Sequence, residues 1–261
     1  MHSRYKDHER YFREQVDSTE KYILPYIALD GALSSLVVAE IGCGFGGGLQ
    51  VLLDKGSKVY GIDISVGRIK LAQEFLVDHP QKSNLTLLAK DIFDINTEDM
   101  PKADLIIMRD VIEHIHDHEK ALRHIKTFLK PNGKLFVAFP PWRMPFGGHQ
   151  QVCDSKILSM MPYIHLLPKC LYRTLLKLFK EPDSKIEELL ELKKTKMPIQ
   201  KFLRLVKKID FKIEKQTFYL INPNYEIKFG LKPKKLPCIL SIPIIRDFYT
   251  TSLYTLLFIH P

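Results

Sequence analysis

Three groups of residues have types and spacing that could do chemistry. The first is Val37-Val38-Ala39-Glu40-Ile41-Gly42-Cys43-Gly44-Phe45-Gly46-Gly47-Gly48, an apolar β-branched run that breaks into glycines before Leu49-Gln50-Val51-Leu52-Leu53. A buried strand, a glycine turn and a helix start bring backbone amides close to a ligand, because glycine has no Cβ to collide with it. The second group is a pair of acids at strand ends. Asp63 closes Lys58-Val59-Tyr60-Gly61-Ile62 and Asp91 closes Asn84-Leu85-Thr86-Leu87-Leu88-Ala89-Lys90. A carboxylate about 20 residues past a glycine loop can accept both hydroxyls of a ribose. Gly42-x-Gly44-x-x-Gly47 also fits a dinucleotide fingerprint, so two ligand classes stand open on these residues alone. The third group is Asp110, Glu113 and His114, whose i, i+3, i+4 spacing would place three side chains on one helix face.

Alternating strands and helices must position these groups. Ala103-Asp104-Leu105-Ile106-Ile107-Met108-Arg109 reads as a fourth strand ahead of Asp110, and Lys130-Pro131-Asn132-Gly133 turns into a fifth over Leu135–Phe139. Such alternation implies a parallel sheet covered on both sides. The pieces Glu40-x-Gly42-x-Gly44-x-Gly46, Asp63, Asp91-Ile92, Asp110-Val111-Ile112-Glu113-His114 and Lys130-Pro131-Asn132-Gly133 together resemble the class I S-adenosylmethionine (SAM) dependent methyltransferases. The resemblance covers residues 36–140. It implies an α/β, Rossmann-like seven-stranded sheet of order 3-2-1-4-5-7-6 with strand 7 antiparallel and a helical lid insertion. It further implies a glycine loop (Gly42, Gly44, Gly46, with Glu40) under the methionine part of SAM. Asp63, followed by Ile64, would take the ribose hydroxyls, and Asp91 with Ile92 the adenine. Arg109 is counted with the cofactor site.

Outside that core the composition shifts. Residues 1–148 carry 19 Lys+Arg against 20 Asp+Glu, so the net charge of +9 comes from the C-terminal part. Basic charge beside a site suggests an anionic substrate, a membrane surface or nucleic acid. The expected organisation is an N-terminal helical cover of two helices over 1–35, a cofactor core over 36–149, a helical lid over 150–208, and a terminal strand pair with a proline-rich excursion over 209–261. Three prolines and two glycines in Pro140–Gly148 forbid regular structure there, and that loop, with Trp142, Arg143 and His149, is a candidate substrate wall. Strand patterns over 211–220 and 253–259, without a full helix between them, favour the methyltransferase ending over a nicotinamide-binding domain. Four scattered cysteines (Cys43, Cys153, Cys170, Cys238), with no signal-peptide or membrane-spanning pattern, suggest a reduced cytoplasmic setting.

Methyl transfer from a sulfonium depends mainly on holding the nucleophile in line, and a hydroxyl acceptor needs a base or metal besides. His149 is the candidate catalytic base. His165 reads as a core residue, and His116, His118 and His124 as solvent-facing. Asp110–His114 resembles the Glu-x-x-Glu-His of ubiquinone-pathway O-methyltransferases and small-RNA 2′-O-methyltransferases, in which a later histidine completes a divalent-cation site. That resemblance implies Asp110, Glu113, His114 and His149 as metal ligands, a set suited to Mn²⁺, Fe²⁺ or Zn²⁺. Arg109-Asp110-Val111 replaces the Asn-Pro-Pro-Tyr signature of amino-methylating enzymes, which favours oxygen or carbon as acceptor. The expected acceptor is a small or lipid-like molecule, with a peripheral membrane contact. An RNA-directed enzyme and a non-catalytic SAM-binding protein are the alternatives, although no basic groove rich in aromatics points to nucleic acid.

Overall fold

The structure, a computed structural model, describes residues 7–28 and 33–259. Expectations for residues 1–6 and 29–32 lie outside them. Five strands run parallel: β1 (Val37–Ile41), β2 (Lys58–Asp63), β3 (Leu85–Ala89), β4 (Ala103–Arg109) and β5 (Leu129–Phe139). β6 (Lys212–Ile221) and β7 (Lys234–Lys235) precede the last strand, β8 (Ser252–Phe258), which lies antiparallel between β5 and β6. The order is β3-β2-β1-β4-β5-β8-β6-β7. The expected order is present, but with eight strands rather than seven. The addition is β7, two lysines paired to the outer edge of β6. A two-residue strand has no alternation to read, which is why the pattern missed it.

The apolar runs that suggested strands are buried on both faces. Along β4 and β5, Ile106, Met108, Leu135 and Val137 face one core, whereas Leu105, Ile107, Phe136 and Ala138 face the other. This period of two, with apolar residues on either side, marks a strand with helices above and below. The connecting helices include α2 (Gly47–Asp54) after the glycine loop, α3 (Val66–Phe75) after β2 and α4 (His118–Thr127) after β4.

Among the described residues of the N-terminal cover, 8–27 form one continuous helical run. α1 (His8–Ser18) passes through a π segment (Thr19–Ile23) into a final turn, Leu24–Ile27. In the π segment the Leu24 N–H donates to the Thr19 carbonyl, and Pro25 next in line has no N–H to give. Phe12, Ile23, Tyr26 and Ile27 bury this run against the sheet.

Between β5 and β6 stand α5 (Lys156–Met160), α6 (Lys169–Leu178), α7 (Asp183–Thr195) and α8 (Ile199–Lys208). α5 to α7 close their own small core around Leu158, Tyr172, Leu176 and Leu189, while Phe202 and Val206 of α8 join the sheet's core. Buried Glu181 ties the insertion together by accepting from the Asp154 and Ser155 amides, at 3.0 and 2.7 Å. After β6, α9 (Asn224–Phe229) begins the proline-rich excursion. Among the described residues no helix is long and apolar enough to cross a membrane.

The close approach of α1 to the glycine loop depends on Gly47. A Cβ there would stand 2.3 Å from the Phe12 carbonyl oxygen and 2.7 Å from Gln15 Cβ. Gly47→Ala should therefore lift α1 while leaving the sheet intact. Limited proteolysis should cut within residues 8–27 at least several-fold faster, with unchanged far-UV circular dichroism. Equal cleavage rates would refute the packing constraint.

Candidate active site

Open α/β sheets bind ligands beyond the C-terminal ends of their strands. A cavity of about 950 Å³ lies at that edge here, walled by the ends of β1, β2, β4 and β5, the cover, the Pro140–Gly148 loop and α9. Gly42 turns the chain at φ +72°, and a Cβ on it would meet Val111 Cγ2 at 2.2 Å. The glycine is thus required both by its backbone and by the residue following Asp110.

Asp63, 3% exposed, accepts from the Gly44 amide at 3.1 Å through one oxygen and from the Ser65 amide at 2.9 Å through the other. An ionised carboxylate has about four acceptor sites, so two amides leave capacity for two more donors. Asp91 is oriented by the Phe93 amide, at 2.9 Å. Ile64, exposed at 69%, and buried Ile92 also line the cavity.

Glu40 and Arg109, from adjacent β1 and β4, form a buried pair at 3.5 Å. Glu40 Oε2 and Arg109 Nη2 are buried without a hydrogen-bond partner. Burial raises the Glu40 carboxyl to about 7, against the lowering effect of Arg109. Arg109 Nη1 donates to Ser18 Oγ at 3.1 Å, and Ser18 in turn donates to Asn224 Oδ1. Tyr22 and Lys21 engage Glu226 of α9. Cover and excursion are therefore joined across the cavity.

The third group is rearranged relative to expectation. Asp110 sits in the left-handed region, φ +53°, and only a single 3₁₀ turn, Ile112–His114, follows it. The shared helix face for Asp110, Glu113 and His114 does not form, and Asp110 is outside the convergent set. That set is Glu113, His114 and His149, whose ligand atoms lie within 4.8 Å of one another. The His114 and His149 rings meet edge to face at 5.1 Å. Both Glu113 oxygens are buried and unpartnered, and burial, then the Asp110 charge, raises its carboxyl well above the usual range. Burial lowers His149 to about 4, so its imidazole is neutral at physiological pH. His149 is itself left-handed, φ +56°. Left-handed non-glycine residues cluster at functional sites, where packing holds them.

Of the substrate-wall loop, Met144, Phe146 and His149 reach the cavity, whereas Trp142 and Arg143 do not. Trp142 is buried edge-on against His165, whose Nε2 lies 2.7 Å from the Trp142 carbonyl, and Arg143 lies 3.9 Å from Asp247. His118, expected at the surface, is buried at 2% beside Lys201. Tyr11 and Gln15 of the cover, with Asn222, Tyr225 and Lys228 near the excursion, line the cavity unforeseen. Their distance in sequence from the motifs hid them.

Residues 39–135 match the family model described as methyltransferase domain. The ubiquinone biosynthesis O-methyltransferase of Coxiella burnetii is 31% identical over 115 residues, 44% of this chain and 48% of that protein. Phosphoethanolamine N-methyltransferase 2 of Caenorhabditis elegans is 37% identical over 38% of this chain and 22% of that protein. The chain thus spans about half or less of the length of these relatives. In fold it is similar to magnesium protoporphyrin IX methyltransferase of Synechocystis with bound SAM: TM-score 0.54, 15% identity, 94% of this chain and 80% of that one. The fold is that of the Rossmann-like methyltransferases. The matched segment, residues 39–135, is a methyltransferase domain.

The Asp63 carboxylate has an expected consequence for cofactor affinity. Charge-assisted bonds are worth about 1.5–3 kcal/mol each. Asp63→Ala should weaken SAM binding at least about a hundredfold by calorimetry. Unchanged affinity would remove Asp63 from the cofactor site.

Proposed function

We propose that this protein transfers a methyl group from SAM to a hydroxyl of a small or lipid-like acceptor. The observation that carries the reading is the convergence of Glu113, His114 and His149 at the wall of the same cavity that holds the glycine loop and Asp63. Arg109 lines the cavity and its Nη2 has no hydrogen-bond partner, so it would face the carboxylate of the cofactor's methionine end, with Glu40 3.5 Å behind it as the charge for the ammonium. Asp63 has acceptor capacity for the ribose, and Asp91 with Ile92 for the adenine. When bound, SAM supplies an activated methyl on sulfonium sulfur.

The protein's own residues then position and deprotonate the acceptor. Met144, Phe146, Val152 and Phe229 give the wall an apolar, partly aromatic character suited to an amphipathic acceptor. His149 lines the cavity with a neutral imidazole and would take the proton of an acceptor hydroxyl held there. In the alternative arrangement Glu113, His114 and His149 would hold a divalent cation of the Mn²⁺, Fe²⁺ or Zn²⁺ kind, with His149 then a ligand in place of a base and Asp110 outside the ligand set. The orphaned Glu113 carboxylate favours this, since a buried unpaired acid is costly and a cation would satisfy it. Such a cation would lower the pKa of a bound hydroxyl. Peripheral contact with a membrane would bring a lipid-like acceptor within reach.

Two experiments test the reading. Methyl transfer from labelled SAM should stop on adding EDTA and return with Mn²⁺ or Zn²⁺, and His149→Ala should fall at least about a hundredfold. Activity insensitive to chelator, with His149→Ala still inactive, would leave a general base and no metal.

The second concerns Glu40. Its raised carboxyl favours the folded, cofactor-free protein below the ordinary carboxylate range, and that contribution is lost as pH rises through about 7. An ammonium beside Glu40 stabilises the ionised form, so SAM binding should release a proton. Calorimetry in buffers of different ionisation enthalpy should show release approaching one proton near about pH 6 and little above about pH 8.5, abolished by Glu40→Gln. Release unaffected by Glu40→Gln would place the ammonium elsewhere.

A further inference from the structure

Most of the large apolar side chains exposed among the described residues fall in two stretches. Ile157, Met160, Leu166, Leu171 and Leu178 belong to the insertion, and Ile239, Ile242, Ile244 and Ile245 to the excursion after β7. On α6, Tyr172 and Leu176 point into the insertion's core, leaving Leu171 and Leu178, seven residues apart, on the outer face with Lys177. Ile239 is 80% exposed. Ile244 is both exposed and left-handed, φ +74°, so neither burial nor backbone preference accounts for a β-branched residue there.

The two stretches meet. Tyr163 Oη donates to the Phe248 carbonyl at 3.0 Å, and the two rings lie 6.3 Å apart. They are also fastened to the cavity wall, because the Tyr163 amide donates to the Pro145 carbonyl at 2.7 Å and Gln150 Nε2 bonds both Pro145 and Met161 carbonyls. Pro145 stands between Met144 and Phe146, which line the cavity.

Their charge has a single sign. Residues 157–180 carry Lys169, Arg173, Lys177 and Lys180 and no acid, and residues 231–246 carry Lys232, Lys234, Lys235 and Arg246 and no acid. Arg173 is paired with Glu187 and Arg246 lies over Phe218, so the outward charge is that of the lysines. Exposed isoleucines and leucines among lysines, with the adjoining Glu187 paired to Arg173, match an anionic bilayer: lysines at the headgroups, aliphatic tips among the acyl chains. A polynucleotide would be met by stacking rings instead of isoleucines.

We propose that these two stretches form one surface that docks on an anionic membrane beside the mouth of the cavity. The docking stands on the surface itself. Its use, admitting a lipid-like acceptor from the membrane side, rests on the function proposed above.

The test is flotation of the full chain with vesicles of equimolar phosphatidylglycerol and phosphatidylcholine, against phosphatidylcholine alone. Binding is expected to the anionic vesicles only, and to fall with salt. Ile239→Asp with Ile242→Asp should abolish it, and each of Lys177→Gln and Lys235→Gln should weaken it about fivefold. SAM affinity, read by calorimetry, should be unchanged in these variants, which shows that they fold. Flotation without SAM binding in the unaltered protein would defeat the functional reading and leave the docking in place. Four results would overturn the docking: no flotation at low salt, equal flotation with neutral vesicles, release of the protein by RNA, or a dimer in solution that Ile239→Asp with Ile242→Asp converts to monomer.

Discussion

The buried pair between Glu40 and Arg109 is the constraint on which the site is built. Two charges at adjacent strand ends, 3% and 8% exposed, lose their hydration on folding, and at 3.5 Å their contact recovers only part of it. Such a pair is poor evidence of stability. Its geometry explains its presence better. Glu40 fits against the first turn of α2 only because residue 48 is glycine, whose Cβ would fall 2.4 Å from Oε2. Arg109 then extends to Ser18 and Thr19 at the junction of α1 and the π segment, and Ser18 extends to Asn224. One ion pair thereby fixes the glycine loop, the cover and the excursion relative to the strand ends.

The parts of this arrangement legible in the sequence are those whose cause is local. β1, β2, β4 and β5 are apolar runs because both their faces are buried, and the glycines and Asp63 follow them because a strand end must turn. The antiparallel β8 was legible from an apolar terminal run with no crossover helix ahead of it. Hidden features have non-local causes. Gln15 lies near the glycine loop because Gly47 leaves room, and Tyr225 and Lys228 reach the cavity because α9 is tied to the cover through Glu226. His118 is buried because α8 brings Lys201 beside it, 83 residues later.

Asp110 shows how a correct spacing gives a wrong geometry. The i, i+3, i+4 rule holds only if every intervening residue is helical, and Asp110 itself is left-handed. Its amide donates to the Ala138 carbonyl at 2.8 Å, extending the pairing of β4 with β5 by one residue and delaying the turn. The chain then has a 3₁₀ turn in place of a helix. Glu113 and His114 converge on His149 nonetheless, because the loop carrying His149 leaves the neighbouring strand, β5. Strand adjacency, not helix periodicity, assembles the group.

The same division runs through the whole chain. The family match spans residues 39–135, which hold the strand ends, the glycine loop, Asp63 and Asp91. Beyond it lie the loop with Met144, Phe146 and His149, the insertion, and the excursion carrying Tyr225 and Lys228, which supply the rest of the cavity wall. The matched core is nearly neutral and the excess of positive charge lies in these later residues. A methyl donor needs only to be held, whereas an acceptor must be chosen. On the proposed function, selection would fall to the segments that pack on the sheet from outside, and those are the segments with their own core, their own charge and their own exposed face.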